Sequence, residues 1–176
     1  MKNKGITLIA LTITVIVLLI IAGITLSVGS NMIKKANLEK LKTDMLLIRT
    51  KGKEYVENAN FKLGPNVDDA EDKEDKITNA KTELKGKELE QSEKENLQNS
   101  HIINTSEDTE FIFYYDLTTN GEDNYLEEMG IKGVESDDEN GKFIIKYDVK
   151  NMTVEVYNTI GYSGKYSLTD IDEIEE

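Results

Sequence analysis

The sequence predicts an α+β chain: a long N-terminal helix, its first half transmembrane, whose second half packs against a small antiparallel β-sheet. Three observations lead there. The run from Gly5 to Ile33, GITLIALTITVIVLLIIAGITLSVGSNMI, is without charge between Lys4 and Lys34. Apolar residues then recur at helical spacing through Leu38, Leu41, Met45, Ile48, Tyr55, Val56 and Ala59. The C-terminal third alternates apolar and polar residues in the manner of half-buried strands.

At ~1.5 Å rise per residue, Ile6 to Val28 spans about 35 Å against roughly 30 Å of hydrocarbon, so residues 6–30 are long enough to cross a bilayer with some tilt. Ile6, Ile9, Ile13, Val15, Ile16, Val17, Ile20 and Ile21 would favour strand in water. In lipid they are tolerated as helix, because every backbone group must be satisfied internally. Thr7, Thr12, Thr14 and Thr25 are able to bond back to helix carbonyls. A cleaved secretory signal fits less well: the apolar run exceeds the usual core, and helix-favouring sequence simply continues beyond it.

Residues 31–60 form the amphipathic half. Gly29, Ser30 and Asn31 mark a place for a bend, and Gly64-Pro65 marks the end. Residues 61–109 read as an acidic polar connector, solvated at 68–75, with a possible surface helix from Ile77 to Asn99 interrupted near Gly86. Residues 110–176 hold an antiparallel β domain: a strand from Glu110 to Tyr115, a short helix from Asn124 to Met129 ended at Gly130, and a hairpin. The hairpin places Phe143, Ile145 and Tyr147 on one face, turns at Lys150-Asn151, and returns through 153–157. A turn at 161–164, a short segment at 166–168 and an acidic tail follow.

Charge divides the chain. Residues 1–53 hold nine Lys/Arg against Glu39 and Asp44, a net +7, which leaves 12 basic and 32 acidic residues beyond and a net −20 there. That distal part repels phosphates, so direct nucleic acid binding is not expected. No cysteine occurs, which excludes disulfides and thiolate chemistry; the single histidine, His101, excludes histidine-clustered metal sites and stands in a polar stretch as an exposed residue. No phosphate-binding loop or nucleophile elbow is present, and neither an enzyme activity nor a cofactor is expected. Asp116, Asn120 and Glu127 weakly imitate a calcium loop, but Thr118 replaces a carboxylate or amide ligand and a strand precedes where an entering helix is needed. The tyrosines Tyr114, Tyr115, Tyr147, Tyr157, Tyr162 and Tyr166 are read as sheet core and edge.

The extreme N-terminus is more specific. Lys2 and Lys4, then Gly5, then Ile6-Thr7-Leu8-Ile9 running straight into the apolar stretch, resemble the class III signal of type IV pilins and pseudopilins. The resemblance implies a leader of residues 1–5, cut after Gly5 by a prepilin peptidase, and N-methylation of Ile6. It further implies assembly with other pilin-like subunits through a helix that begins Thr7, Leu8, Ile9, Ala10, as in a type IV pilus or type II secretion filament. One position departs from the family pattern: Ala10 stands where the glutamate at the fifth mature position is usual. A carboxylate in lipid is costly until a neighbour's amine neutralises it, so Ala10 removes both the cost and the reward for docking. Lysines on both sides of the span leave its orientation open by charge count; the family implies a cytoplasmic N-terminus and an extracellular C-terminal domain. The alternative is a single-pass, non-polymerising surface protein whose acidic domain binds a partner or cation.

Overall fold

The computed structural model describes residues 3–118, 124–134, 136 and 140–174, with only the backbone course given for residues 3–13, 19–31 and 69. Two compact units are distinguished, Met1–Lys40 and Leu41–Glu176. Helix α1 (Asn3–Leu63) runs on through Gly29, Ser30 and Asn31, in line with the single long helix expected there. Among the described residues no helix is long and apolar enough to cross a membrane, and most of the run expected to do so, residues 6–30, lies outside the described side chains.

Within the second unit the architecture is α+β. The last part of α1 buries Met45, Ile48, Gly52, Val56, Ala59 and Leu63, steps of three and four that keep one face inward. That face lies on a five-stranded, wholly antiparallel sheet ordered β1 (Lys87–Glu88), β2 (Ile112–Asp116), β3 (Phe143–Asp148), β4 (Thr153–Tyr162) and β5 (Lys165–Ser167). The register sets Tyr115 opposite Ile145 opposite Val156, and Phe113 opposite Tyr147 opposite Val154. These side chains, with Phe143, form the face toward α1. Gly52 lies so close to it that a Cβ would stand 2.6 Å from Ile145 Cδ1.

The opposite face is also covered. Tyr114, Ile144 and Tyr157 pack with Leu89 and Ile103, flanked by the half-buried Leu97, Ile102 and Ile112. The region expected as a polar connector therefore contributes more than a solvated link. Helix α2 (Lys73–Lys81), strand β1 and helix α3 (Gln91–Asn99) replace the single interrupted surface helix, because Ala80, Leu84 and Leu89 are buried rather than displayed. The α3 N-terminus is closed by a reciprocal Glu90–Glu93 capping box. The short helix α4 (Tyr125–Glu128) turns Leu126, Met129 and Ile131 inward as expected. A C-terminal helix α5 (Leu168–Asp172), capped by Ser167 Oγ accepting from Asp170 N–H, buries Leu168 and Ile171 where the sequence analysis gives only an acidic tail. Helix α1 ends as foreseen at Gly64, whose left-handed backbone (φ 71°) returns an N–H to the Asn60 carbonyl at 3.1 Å.

Candidate functional site

The residues singled out by the N-terminal signal, Gly5, Ile6, Thr7, Leu8, Ile9 and Ala10, follow one another in the first turns of α1; their side chains lie outside the described residues. Val15, Ile16, Val17 and Leu18 are described, and each is 46–61% exposed in the single chain. Four consecutive apolar side chains point to successive sides of a helix, and none is buried among the described residues.

In the distal unit the first of the calcium candidates, Asp116, is engaged by the fold itself. Asp116, 3% exposed, accepts from Thr118 N–H at 2.8 Å through Oδ1 and from Lys142 Nζ at 2.6 Å through Oδ2. The Thr118 hydroxyl in turn accepts from Phe143 N–H at 2.7 Å. Both oxygens of the first calcium candidate are thus engaged, Oδ1 within the turn that follows β2 and Oδ2 by the lysine just before β3. Glu127 is exposed on α4, with its N–H capped by Asn124 Oδ1, and Asn120 lies outside the described residues. Among the described residues no group of three or more His, Asp or Glu side chains is arranged to hold a metal ion.

Asp108 anchors the loop after α3: it accepts from Tyr114 Oη at 3.0 Å and Lys146 Nζ at 2.9 Å, while Lys146 sits 5.4 Å from the Tyr114 ring centre. Local spacing could not have found this, since Asp108 and Lys146 are brought together only by the sheet. Burial, then the neighbouring Asp108 carboxylate, pushes the Tyr114 hydroxyl well above its ordinary value. Burial likewise raises Tyr115, Tyr147 and Tyr157. The reading of these four tyrosines as sheet core agrees with their exposures of 8% or less. At the outer end of β4, the buried Asn158 accepts from both Ile160 and Gly161 N–H groups at 3.0 and 2.9 Å, holding an irregular stretch of that strand.

His101 is exposed and terminates α3 in a left-handed conformation (φ 59°), where its own N–H reaches Gln98 O and that of Ile102 reaches Leu97 O, both at 2.9 Å. It is the residue after the cap in a Schellman ending, a place that glycine usually fills. The cleft beside it, about 570 Å³, is lined by Gln98, Asn104, Glu155, Tyr157 and Asp170. Glu155 there accepts from the backbone and hydroxyl of Thr169. A second cleft of about 530 Å³ shares Glu155 and Tyr157 and is reached by Arg49 from α1.

Compared with known proteins, the chain matches no family model, no curated protein and no solved structure.

Proposed function

We propose that the chain is a pilin-like structural subunit of a membrane-anchored filament, processed after Gly5 and assembled through its N-terminal helix. The observation that carries this reading is the continuity of α1 from the Gly5-Ile6-Thr7-Leu8-Ile9 signal to a C-terminal stretch seated on an antiparallel sheet. A lone membrane anchor does not require the leader glycine, nor a helix that runs on from the apolar segment into the core of the distal unit. The exposed apolar residues Val15 to Leu18 are consistent with cover by lipid before assembly and by neighbouring helices after it. The internal pairing of Asp116, Asp108 and Glu155 favours a structural part over a catalytic one.

In this reading the first half of α1 crosses the cell membrane with the N-terminus cytoplasmic, the acidic unit is extracellular, and a prepilin peptidase and other pilin-like subunits are the partners. Mass spectrometry of the chain extracted from membranes tests it. A mature N-terminus at methylated Ile6 is expected, and Gly5→Leu is expected to leave the leader attached. An intact Met1 in chains recovered from cells that possess a prepilin peptidase overturns the reading.

A further inference from the structure

Asparagine followed two residues on by serine or threonine, with a residue other than proline between, occurs twice in the chain: Asn104-Thr105-Ser106 and Asn151-Met152-Thr153. This spacing is that of an N-glycan acceptor, which needs an exposed side-chain amide with a hydroxyl beside it. The structure separates the two. Asn151 lies in the β3–β4 turn, its backbone N–H held by Asp148 Oδ1 at 3.0 Å and its Nδ2 by Asp148 Oδ2 at 2.8 Å. Asn104 is exposed in the stretch between α3 and β2, and there the side chain is held by its oxygen instead. Oδ1 accepts from the Ser106 N–H at 3.0 Å and from the Ser106 hydroxyl at 2.6 Å. A backbone N–H requires an acceptor, so the amide oxygen faces Ser106 and Nδ2 faces away from it; Nδ2 makes no hydrogen bond among the described residues. The backbone that presents this amide is anchored, with Ile103 buried on one side and Tyr114 Oη 3.3 Å from the Asn104 carbonyl oxygen. The cleft of about 570 Å³ that Asn104 lines together with Gln98, His101 and Asp170 leaves room next to it.

We propose that Asn104 is the acceptor of an N-linked oligosaccharide, transferred from a lipid diphosphate donor by a membrane-bound transferase, an inference that rests on the extracellular placement of the distal unit in the filament reading. In the transfer the bond from Nδ2 to the sugar C1 forms as the C1–O bond to the diphosphate breaks. The electron pair of the broken bond leaves on the lipid diphosphate, and one Nδ2 proton passes to a base of the transferase. An amide nitrogen is a poor nucleophile, because its lone pair is delocalised onto the oxygen. The two hydrogen bonds on Asn104 Oδ1 stabilise the charge that gathers there as the proton leaves, and they are in place before any donor arrives. Asn151 offers the reverse: its nitrogen is committed to Asp148, and freeing it forfeits a charge-assisted hydrogen bond.

The test is glycopeptide mapping of the full chain recovered from the membranes of the cells that make it, with electron-transfer fragmentation to place the added sugar mass on one side chain. Sugar is expected on Asn104 and not on Asn151. Asn104→Gln is expected to abolish it, Ser106→Ala to lower the occupied fraction about tenfold or more by removing the hydroxyl, and Ser106→Thr to retain it. Asn104 and Ser106 are exposed, so these changes leave the core intact, and the unaltered chain decides by itself should a variant fail to fold. A bare Asn104 in the unaltered chain assigns its turn with Ser106 to loop structure alone and overturns the proposal; so does sugar on Asn151 in place of Asn104, or occupancy indifferent to Ser106→Ala. The N-terminal peptide of the same digest keeps the two readings apart. Methylated Ile6 with a bare Asn104 overturns the acceptor site and leaves the filament reading standing, whereas a glycosylated Asn104 on a chain that keeps Met1 sustains the acceptor site and overturns the filament reading.

Discussion

Gly52 is where the seating of α1 on the sheet is most sharply tested. In a helix interior, glycine to alanine ordinarily gains ~1 kcal/mol. Here the added methyl would stand 2.6 Å from Ile145 Cδ1 and 3.1 Å from Val154 Cγ1, with Tyr147 Cε1 at 3.6 Å. Ile145 and Tyr147 are fully buried, so neither has open space to retreat into. Overpacking of this kind costs about 1–3 kcal/mol, which outweighs the propensity gain or at best cancels it. Gly52→Ala is therefore expected to destabilise by about 0–2 kcal/mol, and Gly52→Val, which adds two further methyls beside the sheet for a smaller propensity gain, by about 3 kcal/mol or more. The diagnostic measurement is a double-mutant cycle. Ile145→Val deletes the offending Cδ1 and alone costs about 0.5–1.5 kcal/mol; in its presence Gly52→Ala should become neutral or stabilising, a coupling of about 1–2 kcal/mol. Urea titration of the full chain in mild detergent, followed by near-ultraviolet tyrosine dichroism, reads all four corners. If Gly52→Ala alone stabilises by ~1 kcal/mol and adds independently to Ile145→Val, α1 does not lie on the sheet as described.

Further outcomes follow from individual contacts. Asp116→Leu strands the Thr118 N–H and Lys142 and should cost about 2–4 kcal/mol in the same titration, against about 1 for Asp116→Asn, which keeps the acceptor for Thr118. His101→Gly relieves a left-handed residue in an exposed turn and should raise stability by up to about 1 kcal/mol; a loss of similar size would mean that the imidazole has a role the fold does not require. The four buried tyrosines have hydroxyls raised above 10 in the folded chain, so above pH 10 the unfolded chain releases protons that the folded one keeps. Stability is thus unaffected by these groups below pH 10 and falls by up to ~1.4 kcal/mol per pH unit for each as pH climbs beyond it. Absorbance at 295 nm should show an early group of tyrosinates and a late group appearing together with loss of dichroism; eight tyrosines titrating as one early class would contradict their burial.

Much of the distal fold was legible because it rests on local periodicity. The alternation of Phe143, Ile145 and Tyr147 specifies one sheet face directly, and Gly64-Pro65 stops α1 as such a pair does. What escaped was non-local. Lys87-Glu88 has no strand pattern of its own and becomes β1 only because β2 offers an edge, with Leu89 N–H bonding Tyr114 O at 2.9 Å. The extension of β4 to Tyr162 depends on Asn158 and on pairing with β5, and α5 depends on a cover for Leu168 and Ile171. The cleft reached by Arg49 was hidden for a different reason. The helical position of Arg49 was readable, but that it shares a cleft with residues of β4 follows only from how α1 meets the sheet.

In the filament reading proposed above, the absence of a carboxylate at position 10 changes what assembly through the N-terminal helix must rely on. A buried glutamate penalises every arrangement except the one that presents an amine to it, and so confers selectivity as well as affinity. In that reading the run Leu8-Ile9-Ala10 offers no charge for a neighbour to neutralise, and hydrocarbon exerts no hydrophobic drive between helices. In the same reading, selectivity then has to come from the part of the chain outside the bilayer, where charges are screened by salt. Along the sequence the charge is asymmetric, net +7 over residues 1–53 and net −20 beyond. Charged contacts steer approach and reject wrong registers more than they add affinity; in the filament reading this suits a subunit inserted among others better than one that must polymerise unaided.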